Sequence, residues 1–288
     1  MSRLPITKTP KVYVGGAFIR SESARTYPLK DAAGNYFANI PQCTRKDLRN
    51  AVEAAAKAGP GWAKRTAYNR GQIIYRLGEM IEARKGDMAD ALMLGGASKA
   101  VAAKEIAATI DRLIYYAGWT DKYEQVLGNV NPVASPHFNF TTPEPTGVVV
   151  VLAPDLPVLL PMVSLLLPVI LSGNTAIVIP SERAPLPALS FAEILATSDL
   201  LGGVVNILAG KRAELAPHIA SHMDVNAIVD GAGVPEISAQ LRAGVATNLK
   251  RYFNHALPEA DWFTEKGEDP YWILDTVEMK TAWLPIGL

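Results

Sequence analysis

GVVVVLAPDLPVLLPMVSLLLPVILSGNTAIVIP, residues 147–180, decides the fold. Its first five apolar residues, Val148 to Leu152, show no alternation and are too few for a helix, the pattern of a strand covered on both faces. Leu156 to Ser172 has helical length and is apolar throughout, and NTAIVIP reads as a second buried strand. The alternation continues downstream. Ala188 to Thr197 predicts a helix, GVVNILAG a third strand, Ala213 to Ser221 a helix, VNAIVDG a fourth strand, and Pro235 to Ala246 a helix. Strands separated by helices of this length require crossovers, so the pattern predicts an α/β fold with a doubly wound, Rossmann-like parallel sheet.

Upstream, Thr44 and Asp47 form a helix-start signal, and DLRNAVEAAAKAG is Ala-rich up to the Gly59-Pro60-Gly61 break. Further helices are expected over Ala67–Ala83, Asp87–Met93 and Lys99–Glu124. Residues 1–42 alternate short β-like pieces with glycine turns and predict an N-terminal β ribbon. Residues 128–146 alternate Phe138 and Phe140 between prolines and fit an exposed arm, while Tyr271–Leu288 reads as a long terminal strand. The chain thus divides into the ribbon 1–42, one unit made of a helical part 43–127 and a Rossmann-like part 147–254, and a β arm made of 128–146 plus 271–288.

Composition narrows the function. Lys and Arg number 28 against 28 Asp and Glu, so the net charge is zero and no basic footprint exists for nucleic acid. One cysteine closes no intrachain disulfide and builds no multi-cysteine zinc site, which points to a reducing compartment. The opening MSRLPITKTPKVYVGG has no apolar core of a signal peptide, and Pro157, Pro161, Ser164 and Pro168 interrupt the apolar run 156–171. A cytoplasmic protein without a membrane span is expected.

The run GVVVVLAPDLPVLL, GNTAIVIPSERAP, GGVVNILAG and IASHMDVNAIVDGAG resembles, in the same order, the dinucleotide-binding half of the aldehyde dehydrogenase superfamily. KVYVGGAFIRSES and the helix pair around RTAYNRGQIIYRLGEMIEAR resemble in particular the second, non-catalytic half of the family-16 enzymes. The resemblance implies where a nucleophile, an oxyanion hole, a general base and a dinucleotide site belong. The family's Pro-Trp-Asn-Phe-Pro loop, whose Asn serves the oxyanion hole, is Pro154-Asp155-Leu156-Pro157 here, and Asp155 repels an oxyanion. Lys-Pro-Ser-Glu becomes Ile179-Pro180-Ser181-Glu182, leaving Glu182 for a ribose hydroxyl. The Gly-Ser-Thr-x-x-Gly turn becomes Gly231-Ala232-Gly233-Val234-Pro235-Glu236, which keeps Gly231 and places a charge hostile to phosphate. Pro154, Glu182 and Gly231 are therefore expected to be vestiges of a cofactor site that binds no NAD or binds it weakly.

After Lys250-Arg251 the family continues with a Glu-Leu-Gly-Gly motif and the nucleophile-bearing domain; here NHALPEADWFTEKGEDPYW follows, and the resemblance implies a missing catalytic domain with the terminal strand kept. Cys43 lies at the end of the N-terminal ribbon and is expected to be structural. His218 and His222 are four apart, with no metalloprotease Glu between them, and fit a helix end rather than a metal site. Asp111 and Arg112 read as solvated helix surface. In family members the hairpin and last strand pair with a neighbouring subunit. Phe138, Phe140, Trp272 and Trp283 are accordingly expected to bind a partner, either a catalytic aldehyde dehydrogenase or a second copy of this chain. The resulting expectation is a non-catalytic aldehyde-dehydrogenase-like subunit. The alternatives are an NAD-dependent oxidoreductase with a divergent site and a nicotinamide sensor.

Overall fold

A computed structural model describes residues 9–31 and 34–287; the leader expectation for residues 1–8 and the strand end at Leu288 lie outside the described residues. β1 (Val12–Val14) and β2 (Ala17–Ile19) form a hairpin whose turn needs Gly16 at φ +87°, packed so closely that an added Cβ would approach Gly202 Cα to 3.0 Å. β3 (Thr26–Lys30) pairs with β4 (Tyr36–Pro41) in a separate two-stranded sheet. The expected ribbon is therefore two pairs with different homes, because the alternation of Val12, Tyr13 and Val14 with turn residues does not reveal which sheet they join.

α1 (Arg45–Ala63) starts where the Asp47 carboxylate accepts the Thr44 amide at 2.8 Å and the Ser21 hydroxyl at 2.8 Å. It runs through Gly59-Pro60-Gly61 instead of ending there. Proline inside a helix costs about 3 kcal/mol, but Leu48, Val52 and Trp62 are buried on this helix, and the Trp62 indole donates to the Ile170 carbonyl at 2.8 Å. Packing outweighs the local break. α2 (Ala67–Ala83) and α3 (Lys85–Leu94) follow the periodicity, whereas the helix expected to reach Glu124 splits into α4 (Lys99–Ala117) and α5 (Tyr123–Leu127) after Gly118.

β5 (Asn129–Asn131) and β6 (His137–Pro145) form the arm, and the parallel core then begins. It comprises β7 (Val148–Leu152), α6 (Leu160–Leu171), β8 (Thr175–Ile179), α7 (Leu186–Leu195), β9 (Val205–Ile207), α8 (Arg212–Ser221), β10 (Ala227–Asp230), α9 (Pro235–Gly244) and β11 (Arg251–Asn254). β12 (Val277–Pro285) closes the described chain. The seven-stranded sheet has the order β11-β10-β7-β8-β9-β1-β2, parallel from β11 to β9 and antiparallel at β1 and β2. This is the doubly wound order in which the first parallel strand is central. Every residue of β7, α6, β8 and β10 is buried, which is why those segments read as continuous apolar runs.

Between β11 and β12, residues 255–276 form a strap of short 3-10 turns. Its Trp262 is buried, and Arg112 of α4 fastens it, donating to the Trp262 and Gly267 carbonyls and pairing with Glu268 at 3.1 Å. Arg112 is thus a buried anchor and not solvated surface. The expected terminal strand is likewise shorter than Tyr271–Leu288, because Pro270–Thr276 belongs to the strap. β12 pairs with β6 over nine residues, Val277 to Pro285 against Pro145 to His137, and β5 completes a three-stranded arm.

Candidate functional site

In open α/β sheets ligands bind beyond the carboxyl ends of the strands, where the strand order reverses. That point lies here between β7 and β10, so the turns at Pro154 and Gly231 flank it. Arg212, only 2% exposed, fills the adjacent space between the turns after β7 and β8. Its Nη2 donates to the Ala153 carbonyl at 2.6 Å, to Asp155 Oδ1 at 3.0 Å and to the Pro180 carbonyl at 3.4 Å. Asp155 also accepts the Ser181 hydroxyl at 3.0 Å and the Glu182 amide at 3.2 Å. Burial by itself raises the Asp155 carboxyl, but Arg212 with these donors outweighs it and holds the group below its ordinary range. Asp155 is an ionised strut.

The residues expected to be vestiges of a cofactor site are similarly engaged. Glu182 Oε1 accepts the first amide of α8, at Arg212, at 2.6 Å, and Oε2 lies 3.5 Å from Lys211 Nζ. Pro154 is buried, and Gly231 sits under Leu165, whose Cδ1 would be 2.4 Å from an added Cβ. Consecutive amides in a βα turn make an anion nest. The nest after β10 already holds an anion, since Asp230 accepts the Ala232 and Gly233 amides at 3.0 and 3.3 Å. Its second oxygen accepts the Ser238 hydroxyl at 2.6 Å and the Tyr252 hydroxyl at 2.8 Å. At the start of α6, buried Glu105 accepts the Leu159 amide at 2.6 Å and the Leu160 amide at 3.1 Å. Three βα turns are thus served by carboxylates of the chain itself.

Pro154, Glu182 and Gly231 do come together around the crevice; Cys43 does not present a reactive thiol there. Cys43 is buried, its amide donates to the Ala209 carbonyl, and burial followed by the charge of Asp47 pushes the thiol pKa up, the reverse of what a nucleophile needs. His218 lies on α8, but His222 has left the helix and its Nδ1 accepts the Asp224 amide at 3.2 Å. Among the described residues no three His, Cys, Asp or Glu side chains group to hold a metal. No described helix is long and apolar enough to cross a membrane.

The four aromatic residues expected to bind a partner fall in three places. Phe138 and Phe140 share one face of the arm, their rings 5.6 Å apart, with Leu284 opposite Phe138, and with Ala282 and Val130 flanking Phe140. Trp283 lies on the other face, 5.8 Å from the His137 ring. Trp272 is on the strap, packed 4.6 Å from the His255 ring and 6.1 Å from Trp262. It is removed from the arm because Asp269 caps a turn at Tyr271 where an extended strand was expected.

Sequence reasoning passed over Arg212, Asp230 and Glu105, and took Arg112 for solvated surface. For Asp230 a signal existed, since Asp before Gly-Ala-Gly favours a side-chain-stabilised turn. The other three are single charges on helices whose partners are remote in sequence.

Comparison with known proteins agrees with this geometry. The aldehyde dehydrogenase family model matches residues 18–253. Retinal dehydrogenase 2 of Mus musculus is 31% identical over 251 residues, covering 85% of this chain and 48% of its own length. Aldehyde dehydrogenase, cytosolic 1, of Elephantulus edwardii is 32% identical over 255 residues, with 84% and 49% covered. The NAD+ complex of an aldehyde dehydrogenase from Bacillus cereus superposes with a TM-score of 0.80 at 26% identity, over 86% of this chain and 51% of that one. The chain spans about half the length of the curated relatives it matches. On sequence and fold together, this chain belongs to the aldehyde dehydrogenase family, whose superfamily comprises NAD(P)-dependent oxidoreductases.

Proposed function

We propose that this chain is a non-catalytic aldehyde-dehydrogenase-like subunit that docks through its β arm on a catalytically complete aldehyde dehydrogenase. The observation that carries this reading is the closed crevice. A pyrophosphate needs free amides at the βα turns, and Asp230, Glu182 and Glu105 consume the amides at 232, 233, 212, 159 and 160. A dinucleotide would displace buried carboxylates and meet Leu165 over Gly231. These residues do not fit the cofactor.

The strap supports the same reading. It occupies the place in the chain where the resemblance puts the nucleophile-bearing domain, and it is tied down by Arg112. The arm supports the docking half. Phe138 is 45% exposed, Leu284 51% and Val130 64%, on a face bordered by two sheet edges. Apolar strand surface of this kind is a liability unless another chain covers it.

Two measurements test the proposal. Calorimetric titration with NAD+ and NADH is expected to show no saturable heat, and co-expression with a full-length aldehyde dehydrogenase of the same genome is expected to give a co-eluting complex. Tight NAD+ binding, or a solitary monomer by light scattering with every such partner, overturns it.

A further inference from the structure

A second polar cluster lies away from the crevice, about 15 Å along α8 from Arg212. Arg45 and Arg49 of α1, with His218, Ser221 and His222 at the C-terminal end of α8, line a cavity of about 440 Å³ floored by Leu48 and Met223. Its charge is one-sided. The Arg45 side chain makes no hydrogen bond or ion pair with any described residue, and Arg49 reaches Glu53 only at 3.5 Å across an exposed pair. Behind His222, the buried Lys250 ammonium donates to the Ala220 carbonyl at 2.7 Å.

Of the neighbouring carboxylates, Glu53 meets Arg49 at 3.5 Å, and with Asp224 it also acts on His222. Glu214 is gripped by Arg25 at 2.7 Å and by Gln42 at 2.8 Å. Asp224 is exposed, Asp47 is spent on the α1 cap, and Glu22 takes Lys46. Two arginines one turn apart on a helix repel each other, an arrangement that a doubly charged anion between them relieves. His218 stands in the last turn of α8.

We propose that this cavity binds a small doubly charged anion of the phosphate class, held by Arg45 and Arg49 with His218 and His222 beside it. The volume accommodates a phosphate monoester with a short organic substituent as well as the bare ion. His222 is held below its ordinary range by burial and then by Lys250, against the pull of Asp224 and Glu53, so the bound anion raises its titration point. Affinity falls as pH rises through the histidine range.

The chain has four histidines, so the other two serve as internal controls. The imidazole resonances are followed by NMR while sulfate, inorganic phosphate or glycerol phosphate is added at constant ionic strength with chloride. Sulfate keeps its double charge throughout the histidine range, so any pH dependence with it belongs to the protein. Saturable shifts at His218 and His222, with His137 and His255 unmoved, are expected, and Arg45→Ala is expected to weaken binding about tenfold. Arg45 is exposed, so this variant folds. Stronger binding of the monoester identifies a phosphorylated metabolite as the ligand, and equal binding identifies the free anion. The proposal is overturned if no shift saturates, if all four histidines respond alike, or if Arg45→Ala binds as the parent does.

Discussion

The crevice and the arm, compared side by side, dispose of their binding capacity in opposite ways. At the crevice the amides at 159, 160, 232 and 233 meet the buried carboxylates of Glu105 and Asp230, the amide at 212 meets the half-buried Glu182, and Arg212 bolts two turns together at 2% exposure. On the arm Trp283 remains 56% exposed on one face, and Leu284 with Phe138 lies open on the other. Protein interiors do not leave polar groups unmatched, and surfaces do not keep large apolar faces without use. The difference teaches that the family's interior site is satisfied from within, while the unsatisfied surface lies on the arm.

The largest expected effect comes from breaking the open side. Phe138→Asp combined with Leu284→Asp places two charges on the apolar face of the arm, opposite each other in register. Co-elution with the catalytic partner is expected to disappear, a loss of at least about a hundredfold in affinity, while the melting temperature stays near that of the parent because both side chains are exposed. A complex that survives the double substitution removes this face from the interface.

Next comes the closed side. Arg112 is buried and donates to Ser164 at 2.5 Å as well as to the strap, while burial pulls its own pKa down. Arg112→Ala leaves Glu268 and the two carbonyls facing the hole. A cost of about 3–5 kcal/mol is expected, roughly 10 °C in melting temperature for a chain of this size, with altered tryptophan fluorescence from Trp262 and Trp272. A melting temperature within 2 °C of the parent (about 1 kcal/mol or less) means that the strap is held by something other than this arginine.

These contrasts explain which parts of the molecule the sequence exposes to view. β7, β8 and β10 are legible because a strand buried on both faces leaves an unbroken apolar signature. β11, only Arg251 to Asn254 and half-buried at the sheet's edge, carries none. The arm is legible as a place, through Phe138 and Phe140 between prolines, but its strand bounds are not, since Trp272 and Trp283 look alike until Asp269 is seen turning the chain. The crevice is legible only as departures from a family pattern. What closes it depends on Glu105, Glu182 and Asp230, and a charged residue shows the same letter whether it meets solvent or a backbone amide fifty residues away.

Glu105 provides the smallest and most discriminating effect. Burial raises its carboxyl pKa, against the lowering pull of the amides at Leu159, Leu160 and Val158. A folded pKa above the unfolded value of about 4.3 means that the native state holds this proton more tightly, so the contribution to stability is full below that value and is lost as pH rises through the folded pKa. Asp155, held low by Arg212, runs the other way and loses its contribution only in acid. Glu105→Gln keeps an acceptor oxygen for the two α6 amides and removes the titration. In urea melts its stability relative to the parent is therefore expected to increase from pH 4.5 to pH 7.5, by no more than about 1 kcal/mol. The reverse, a deficit that deepens at pH 7.5, would mean that the start of α6 is held by an ionised Glu105 carboxylate and that its amide donors outweigh its burial.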